Sequence, residues 1–250
     1  MFIKVIKTRP FIPPKDDLFP FIKESFSDVN LKEKSIIVIT SKIVAIWQRR
    51  CLKIGSIKNK DDLIKKEADF YLDRNEVPKE YVMLTIKDNI LIPTAGIDES
   101  NGNGYFVLWP KNPFGAAKQI YSFIKKNYQL NDFGIIISDS HCTPSRYGTM
   151  GISIAYYGFY PLRDYRGTKD IFGREMKISR SNIVDSLAAA AGFIMGEGNE
   201  QTPIAIVEDL DFIKFEEFDP TRSNPLEINK DDDIYTPLLK SIKWRKGSNY

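Results

Sequence analysis

The sequence predicts a mixed α/β fold, because strand-like and helix-like segments alternate along the chain. Residues 35–40 and 133–137 are continuous apolar runs rich in β-branched side chains, which is typical of strands buried on both faces. Residues 113–128 and 181–195 instead repeat apolar side chains every three to four positions, as amphipathic helices do. With 250 residues, the chain is long enough for one large domain or two smaller ones, each with a buried core.

The other elements follow from the same rules, applied in chain order. Residues 1–8 alternate apolar and polar side chains like a strand, and Asp17 precedes an apolar run that suits a helix. Asn59 is expected to cap a helix over 59–73, and Ser181 to cap the helix that follows it. Further strands are expected at 81–86, 90–92, 105–109, 148–157 and 203–207.

Composition and charge exclude several classes of protein. The 36 Lys and Arg against 33 Asp and Glu leave a net charge of +3, without a basic block, so nucleic acid is not an expected partner. Neither a signal-peptide pattern nor an apolar run of membrane-spanning length is present, so we expect a cytoplasmic protein without a membrane partner. Cys51, Cys142 and the single His141 are too few and too dispersed to predict a disulfide or a structural zinc site.

The stretch Thr94–Asn101 follows a short predicted strand and carries several oxygen ligands. Asp98, Glu99 and Asn101 lie within four residues, and Gly96 lets the backbone turn where a β-carbon would clash. Such a cluster can hold a divalent cation. It can equally be a polar turn whose side chains cap the backbone, and this stretch alone leaves both interpretations open.

A similar arrangement follows the predicted central strand 133–137. Asp139 and Ser140 come directly after it, and in α/β folds ligands gather at the carboxyl ends of strands. Glu197 is a third carboxylate in a turn, after the alanine-rich helix. A shared metal–phosphate site and a set of unrelated polar turns both remain open at this point.

Ser41 and Lys42 stand just beyond the other buried strand. A hydroxyl and a lysine at such a position can contact a phosphate, although strand ends are commonly polar. His141 could act as a base or a ligand, or simply form a structural hydrogen bond. Its neighbour Cys142 has no activating base other than that histidine.

Five stretches in the same order resemble the coenzyme F420-0:L-glutamate ligase family, often called CofE. They are TSKIV at 40–44, AGIDESN at 95–101, SDS at 138–140, PLRDYRGTKDIFGRE at 161–175 and LAAAAGFIMGEG at 187–198. The resemblance runs from about residue 3 to residue 209. It implies a ligase domain over 1–209 and a C-terminal extension over 210–250 that packs on the body, with Ile234–Leu239 and Trp244 as its apolar anchor.

The resemblance also implies an activity. Family members are cytoplasmic homodimers with two closely associated lobes. They use GTP and a divalent metal, usually Mg²⁺ or Mn²⁺, to join the amine of glutamate to a carboxylate. For this chain the implied function is a γ-glutamyl ligase that acts through an acyl phosphate, with GTP or ATP as cosubstrate and a monovalent cation as a further candidate cofactor.

Family roles transfer by motif position. Asp98 and Asp139 match metal-binding aspartates, Ser140 stands where the family usually has a metal-binding threonine, and Glu197 matches a metal ligand that is often glutamine. With Lys42, the two aspartates form the implied catalytic set. The positions that match nucleotide-binding segments are Thr8, Arg9, Pro10, Phe11, Ser41, Lys42, Asn101, Met195, Gly196, Gly198, Gln201 and Thr202.

The chain also departs from the family pattern. Ile46 replaces a lysine that many relatives carry after TSKIV, and the segment from Ser140 to Arg146 lacks the usual glycine and first arginine. The tail resembles a bacterial branch labelled as folate-metabolism γ-glutamate ligases. The acceptor therefore stays open between a coenzyme F420-0-type and a folate-type carboxylate. A metal-dependent phosphohydrolase and a non-catalytic nucleotide- or pterin-binding dimer are the alternatives.

Overall fold

Strands and helices alternate in the computed structural model, which describes residues 1–218, 220–221, 223–229 and 231–248. The strands are β1 Phe2–Ile6, β2 Ile36–Thr40, β3 Cys51–Lys53, β4 Phe70–Tyr71, β5 Leu84–Lys87, β6 Ile90–Pro93, β7 Tyr105–Val107, β8 Gly134–His141, β9 Met150–Tyr157, β10 Leu162–Asp164, β11 Arg180–Asn182, β12 Ile204–Glu208 and β13 Arg245–Lys246. The helices are α1 Leu18–Ser25, α2 Ser41–Trp47, α3 Lys60–Glu67, α4 Pro113–Tyr128, α5 Ile183–Met195 and α6 Thr236–Ser241. The predicted mixed α/β class is confirmed.

A five-stranded sheet in the order β1-β12-β2-β8-β9 forms the centre of the molecule. Two of its inner strands, β2 and β8, run parallel to each other, and the other pairs are antiparallel. Both carry the apolar runs that predicted strands buried on two faces, and their isoleucines are fully buried. Successive side chains along a strand point to opposite faces, so each strand contributes to two cores.

Helices cover both faces of this sheet. On one face, Ile37 and Ile135 pack with residues of α1, α2 and α4. On the other face, Ile36 and Ile136 pack with α5, whose small residues allow a close approach: the carbonyl of Ala188 would overlap a β-carbon at Gly151. The central sheet is therefore enclosed by helices and is a rigid base for its loops.

A second, smaller core lies around the sheet β13-β4-β5-β6. Leu63 and Ile64 of α3 pack there with Met83, Ala95 and residues of β7. The antiparallel pair β3–β7 connects this region with the main core through Val107. The segment Thr94–Asn101 runs from the small sheet toward the central one.

Side-chain caps fix the starts of four helices. Asp17, Asn59 and Asn112 accept backbone hydrogen bonds from the first turns of α1, α3 and α4, which confirms the predicted cap at Asn59. The prediction that Ser181 caps α5 is wrong. Ser181 lies in β11, paired with Arg163, and the cap is Asn182, which accepts a bond from the backbone of Asp185 at 3.1 Å.

Other predicted boundaries also differ from the structure. The helix predicted over 59–73 ends at Glu67, because β4 pairs with β5 and requires an extended chain. Strand β8 does not end at Ile137 but continues to His141, paired with β9 through an irregularity at 137–138. Ser41 and Lys42 lie just beyond β2, as predicted, and form the first turn of α2.

The C-terminal extension contacts the body through β13, which pairs with β4. The segment predicted as an apolar anchor is largely exposed, with 82% of Ile234 and 65% of Leu238 accessible, whereas Leu210 and Ile213 of the extension are buried against the core on the α5 face. Residues 219, 222, 230, 249 and 250 of the extension lie outside the described part. Among the described residues, no helix combines the length and the apolar composition that a membrane crossing needs.

Candidate functional site

A cleft of about 500 Å³ opens at one edge of the central sheet. The strand order places four chain segments there, because the end of β1 lies opposite the start of β12, which lies opposite the end of β2. Thr40, at the end of β2, is in turn paired with Ser138 of β8. Loops after β1, after β6 and before β12 close the sides of the cleft.

The cleft brings together nearly all residues that the sequence and the resemblance single out. Its lining includes the four implied metal ligands, Asp98, Asp139, Ser140 and Glu197. It also includes Thr8, Arg9, Pro10, Phe11, Lys42, Asn101, Met195, Gly196, Gly198, Gln201 and Thr202. Of the residues with implied metal or nucleotide roles, Ser41 alone is outside the lining, and its hydroxyl donates to Asp139. The structure thus places these residues close together. Their roles in binding and catalysis stay predictions.

Asp139 is held by three hydrogen-bond donors. The Ser41 hydroxyl donates to Oδ2 at 3.0 Å, the indole N–H of Trp109 donates to the same oxygen, and the backbone N–H of Ser140 donates to Oδ1 at 2.7 Å. Removal from water nevertheless raises the pKa of this carboxyl to about 6, and the negative charge of Asp98 adds to the rise. The position of Asp139 is thus well fixed, and its charge is poorly compensated.

Trp109 is a site residue that sequence reasoning missed. It appears in the sequence only as the last residue of an apolar run, where a tryptophan is most simply explained as core. In the structure it is 1% exposed, and its single polar atom meets Asp139. The spacing of 30 residues between the two contains no periodic signal that could have predicted the contact.

Asp98 lies on the opposite wall and is held differently. Its backbone forms two hydrogen bonds with Val107, both of 2.9 Å, so the turn is anchored next to β7. Its side chain, 50% exposed, forms an ion pair of 2.9 Å with Lys42. The same ammonium group donates to the carbonyl of Ser100 at 2.9 Å. Lys42 therefore binds the turn as well as facing the cleft.

Glu99 and Asn101 differ in direction although they belong to the same turn. The Glu99 carboxylate pairs with Lys60 at 2.6 Å and does not line the cleft. The Asn101 amide donates to the carbonyl of Gly198 at 2.8 Å. Asn101 thereby joins the turn to the segment that precedes β12.

That segment places the third carboxylate. Partial burial raises the pKa of the Glu197 carboxyl, the neighbouring Ser140 hydroxyl lowers it, and Asp98 adds to the rise. The loop is held by internal bonds: the Thr202 hydroxyl donates to the carbonyl of Met195 at 2.6 Å, and Glu200 accepts from the Gly198 N–H at 2.8 Å. Asp98 thus acts electrostatically on both of the other carboxylates.

Arg9 lines the cleft with its charge engaged elsewhere. Its guanidinium donates to Asp16 at 2.5 Å and to Glu24 at 3.0 Å. Asp16 also accepts from the backbone N–H of Ile12 at 2.8 Å. This cluster fixes the loop over residues 8–13. Through Phe11, this loop forms the apolar side of the cleft together with helix α2.

The oxygen atoms of these side chains are chemically suited to bind a hard divalent cation. Carboxylate and hydroxyl oxygens are the ligands that Mg²⁺ and Mn²⁺ prefer, and a cation would relieve the mutual repulsion of Asp98, Asp139 and Glu197. Among the residues that the structure describes, however, no three His, Cys, Asp or Glu side chains already stand in metal-binding geometry. Binding a cation would therefore require side chains such as Asp98 to turn toward it.

His141 and Cys142 lie beside the site and do not line it. His141 is the last residue of β8, paired with Met150, and burial lowers the pKa of its imidazole. Cys142 is an exposed free cysteine.

Comparison with known proteins places these features in a family. Residues 6–209 match the family model described as F420-0:Gamma-glutamyl ligase. A coenzyme F420:L-glutamate ligase of Methanococcus maripaludis strain C7 is 33% identical over 201 residues, which is 75% of this chain and 81% of the relative. Proteins of the same name from Methanopyrus kandleri and Methanosarcina mazei are each 29% identical and cover 80% and 83% of this chain, with 83% and 85% of their own lengths matched.

Proposed function

The chain belongs to the F420-0:Gamma-glutamyl ligase family, and we propose that it is a nucleotide-dependent γ-glutamyl ligase. It joins the amine of L-glutamate to a carboxylate of a coenzyme F420-0-type or folate-type acceptor. One observation carries the proposal: four of the five separated stretches of the family pattern converge on one cleft that holds three carboxylates and a lysine.

The chemistry that this function needs agrees with the residue types in the cleft. An acceptor carboxylate attacks the terminal phosphorus of GTP or ATP, the nucleoside diphosphate leaves, and an acyl phosphate forms. The amine of glutamate then attacks the activated carbonyl, loses a proton, and inorganic phosphate leaves. Phosphoryl transfer depends on positioning and charge compensation more than on a protein nucleophile, so a site without a histidine or cysteine dyad suits it.

We assign roles to the side chains accordingly. Asp98, Asp139, Ser140 and Glu197 would hold Mg²⁺ or Mn²⁺, which supplies positive charge next to the phosphates. Lys42 offsets charge on the transferred phosphoryl group, and Asn101 contacts the nucleotide. The loops over 8–11 and 195–202 surround the nucleotide. Ser41 acts through Asp139, to which it donates a hydrogen bond.

The proposed assembly is a homodimer in the cytoplasm. Several large apolar side chains support an interface, because they are at least 85% exposed: Ile171, Phe172, Ile178 and Phe193. The first three belong to the long excursion between β10 and β11. Light scattering coupled to size exclusion should give twice the chain mass for the wild type, and Phe172→Ser with Ile178→Ser should lower it.

The test of the function is a ligation assay. The protein is incubated with glutamate, GTP or ATP, Mg²⁺ or Mn²⁺, and a panel of deazaflavin and folate carboxylates, and mass spectrometry identifies the acceptor that gains a glutamyl unit. We expect phosphate release to require both glutamate and acceptor. Phosphate release without either would instead indicate a phosphohydrolase, and nucleotide or pterin binding without turnover a binding protein.

A further inference from the structure

The indole of Trp109 stands directly behind the cleft and belongs to the main core. It is 1% exposed, and its N–H donates to Oδ2 of Asp139, the oxygen that also accepts from the Ser41 hydroxyl at 3.0 Å. An indole N–H can only donate, so this bond has one direction and one geometry. A carboxylate oxygen with two fixed donors is restricted in rotation.

The ring itself is fixed on its other sides. Gly96, with φ +70°, lies so close to it that a β-carbon there would overlap the indole nitrogen and its neighbouring carbons. The backbone carbonyl of Trp109 accepts a bond of 3.1 Å from Arg50, which is paired at 2.5 Å with the buried Glu67. The indole therefore has no room to rotate away from Asp139.

This contact explains why a glycine occupies position 96. The glycine of the AGID turn allows the left-handed backbone, and it also clears the space through which the indole reaches Asp139. The turn that carries Asp98 and the strand that carries Asp139 are thus coupled through one aromatic ring. Simple core packing would not require the nitrogen edge of the ring to face the carboxylate.

We propose that Trp109 is a positioning residue for Asp139. Its N–H holds Oδ2 at the back of the cleft, so that Oδ1, which among the described residues accepts only the Ser140 backbone bond, is presented to a bound cation. The cation itself belongs to the proposed function, on which this inference rests. Fixed hydrogen-bond partners of metal ligands typically change metal affinity by about 10- to 100-fold when they are removed.

The first test measures Mn²⁺ affinity by calorimetry. Trp109→Phe keeps an aromatic ring but has no donor, and Gly96→Ala pushes the ring from its place. We expect both variants to bind Mn²⁺ about 10- to 100-fold more weakly than the wild type. Trp47→Phe and Gly104→Ala are matched controls, because Gly104 has a similar φ of +83° and nothing within 4 Å of a β-carbon. Both controls should keep wild-type affinity.

The second test does not depend on metal. In protein labelled with ¹⁵N-tryptophan, the three indole N–H signals are assigned with Trp47→Phe and Trp244→Phe. Asp139→Asn should move only the Trp109 proton upfield, because a charged acceptor is replaced by a neutral one. This measurement tests the proposal even when the Trp109→Phe variant does not fold.

The outcomes separate this proposal from the function on which it rests. A folded Trp109→Phe that binds Mn²⁺ as tightly as the wild type overturns the proposal, and so does an indole signal that Asp139→Asn leaves unchanged. If the wild type binds no Mn²⁺, the proposed metal role of Asp139 fails. A Trp109 signal that responds to Asp139→Asn would then still support the positioning contact.

Discussion

The two aspartates of the cleft are held in opposite ways. Asp139 lies on β8 in the central sheet and accepts bonds from Ser41, Trp109 and the Ser140 backbone, all of them uncharged donors. Asp98 lies on a turn beside the small core, with its side chain half exposed and paired with the ammonium group of Lys42. One wall of the cleft is therefore fixed by packing and neutral dipoles, and the other by a flexible cation.

This difference shows how one cleft can contain both a rigidly held carboxylate and a movable one. Neutral donors orient a carboxylate without cancelling its charge, so Asp139 remains electrostatically unsatisfied. A lysine cancels charge but sits on a flexible stem, so Asp98 can exchange its partner. We infer that a cation would meet a prepared ligand on the sheet side and displace or share Lys42 on the turn side.

The largest expected effect is loss of catalysis in Asp139→Asn and Asp98→Asn. Each removes a charge that the proposed mechanism needs, and each should reduce kcat/KM for glutamate addition by about 100-fold or more, on the order of 3 kcal/mol. Asp139→Asn should be the more severe, because a neutral amide cannot accept from all three donors. Mass spectrometry of the product measures the effect, and circular dichroism checks the fold. Full activity in both variants would contradict the ligase assignment.

A smaller effect is expected at Lys42. Lys42→Met should lower kcat/KM by about 30-fold, or roughly 2 kcal/mol, because a charged hydrogen-bond donor to Asp98 and to the phosphates is lost. Lys42→Arg keeps the charge and should retain more activity than Lys42→Met. Steady-state kinetics at saturating Mg²⁺ compares the three proteins. Equal activity of Lys42→Met and wild type would refute a role for this cation.

The pH dependence of stability should distinguish the two aspartates. The fold favours protonated Asp139, since its pKa rises from 3.8 to about 6. Without divalent cation, the free energy of unfolding of the wild type relative to Asp139→Asn should therefore be highest below pH 4. It should fall by up to about 3 kcal/mol as the pH rises through 6. Urea unfolding with a chelator measures this difference.

The same measurement in an Asp98→Asn background sharpens the comparison. Because the charge of Asp98 is the second cause of the raised pKa of Asp139, its removal should make the fall smaller. A difference that does not change between pH 4 and 7 would show that Asp139 is not desolvated in the folded protein.

The smallest effect is expected for Glu99→Gln. This substitution changes the same charge in the same turn as Asp98→Asn, but Glu99 pairs with Lys60 away from the cleft. An exposed ion pair contributes little, so stability should change by less than about 0.5 kcal/mol and activity by less than about twofold. The steady-state kinetics of Glu99→Gln and Asp98→Asn are measured side by side, so that Glu99→Gln is the matched control for Asp98→Asn. A large loss of activity would place Glu99 in the site after all.

The prediction of the fold succeeded where the signal was local. The β-branched runs of β2 and β8 and the cap at Asn59 depend on neighbouring residues, and the structure confirms them. The errors occurred where pairing with a segment distant in sequence determined the secondary structure. Strand β5 recruits Phe70–Tyr71 and ends α3 early, and β9 extends β8 past Ile137.

The candidate site shows the same division. The residue types of Asp98, Asp139 and Lys42, next to predicted strand ends, suffice to predict a polar site with hard oxygen ligands. That prediction could not tell Asp98 from Glu99, because neighbours in a turn point in different directions and only the surrounding lobes select one. Nor could it find Trp109, whose apolar context is that of any core residue.

The sequence by itself determined which segments become strands and helices, and which oxygen and nitrogen groups follow them, because periodicity and capping act over a few residues. The tertiary structure alone decided that Ser41, Asp98, Trp109 and Asp139 meet, and which donor each carboxylate receives. The physical reason is strand order. Pairing β2 with both β8 and β12 joins segments that are about a hundred residues or more apart, and no local pattern encodes that choice.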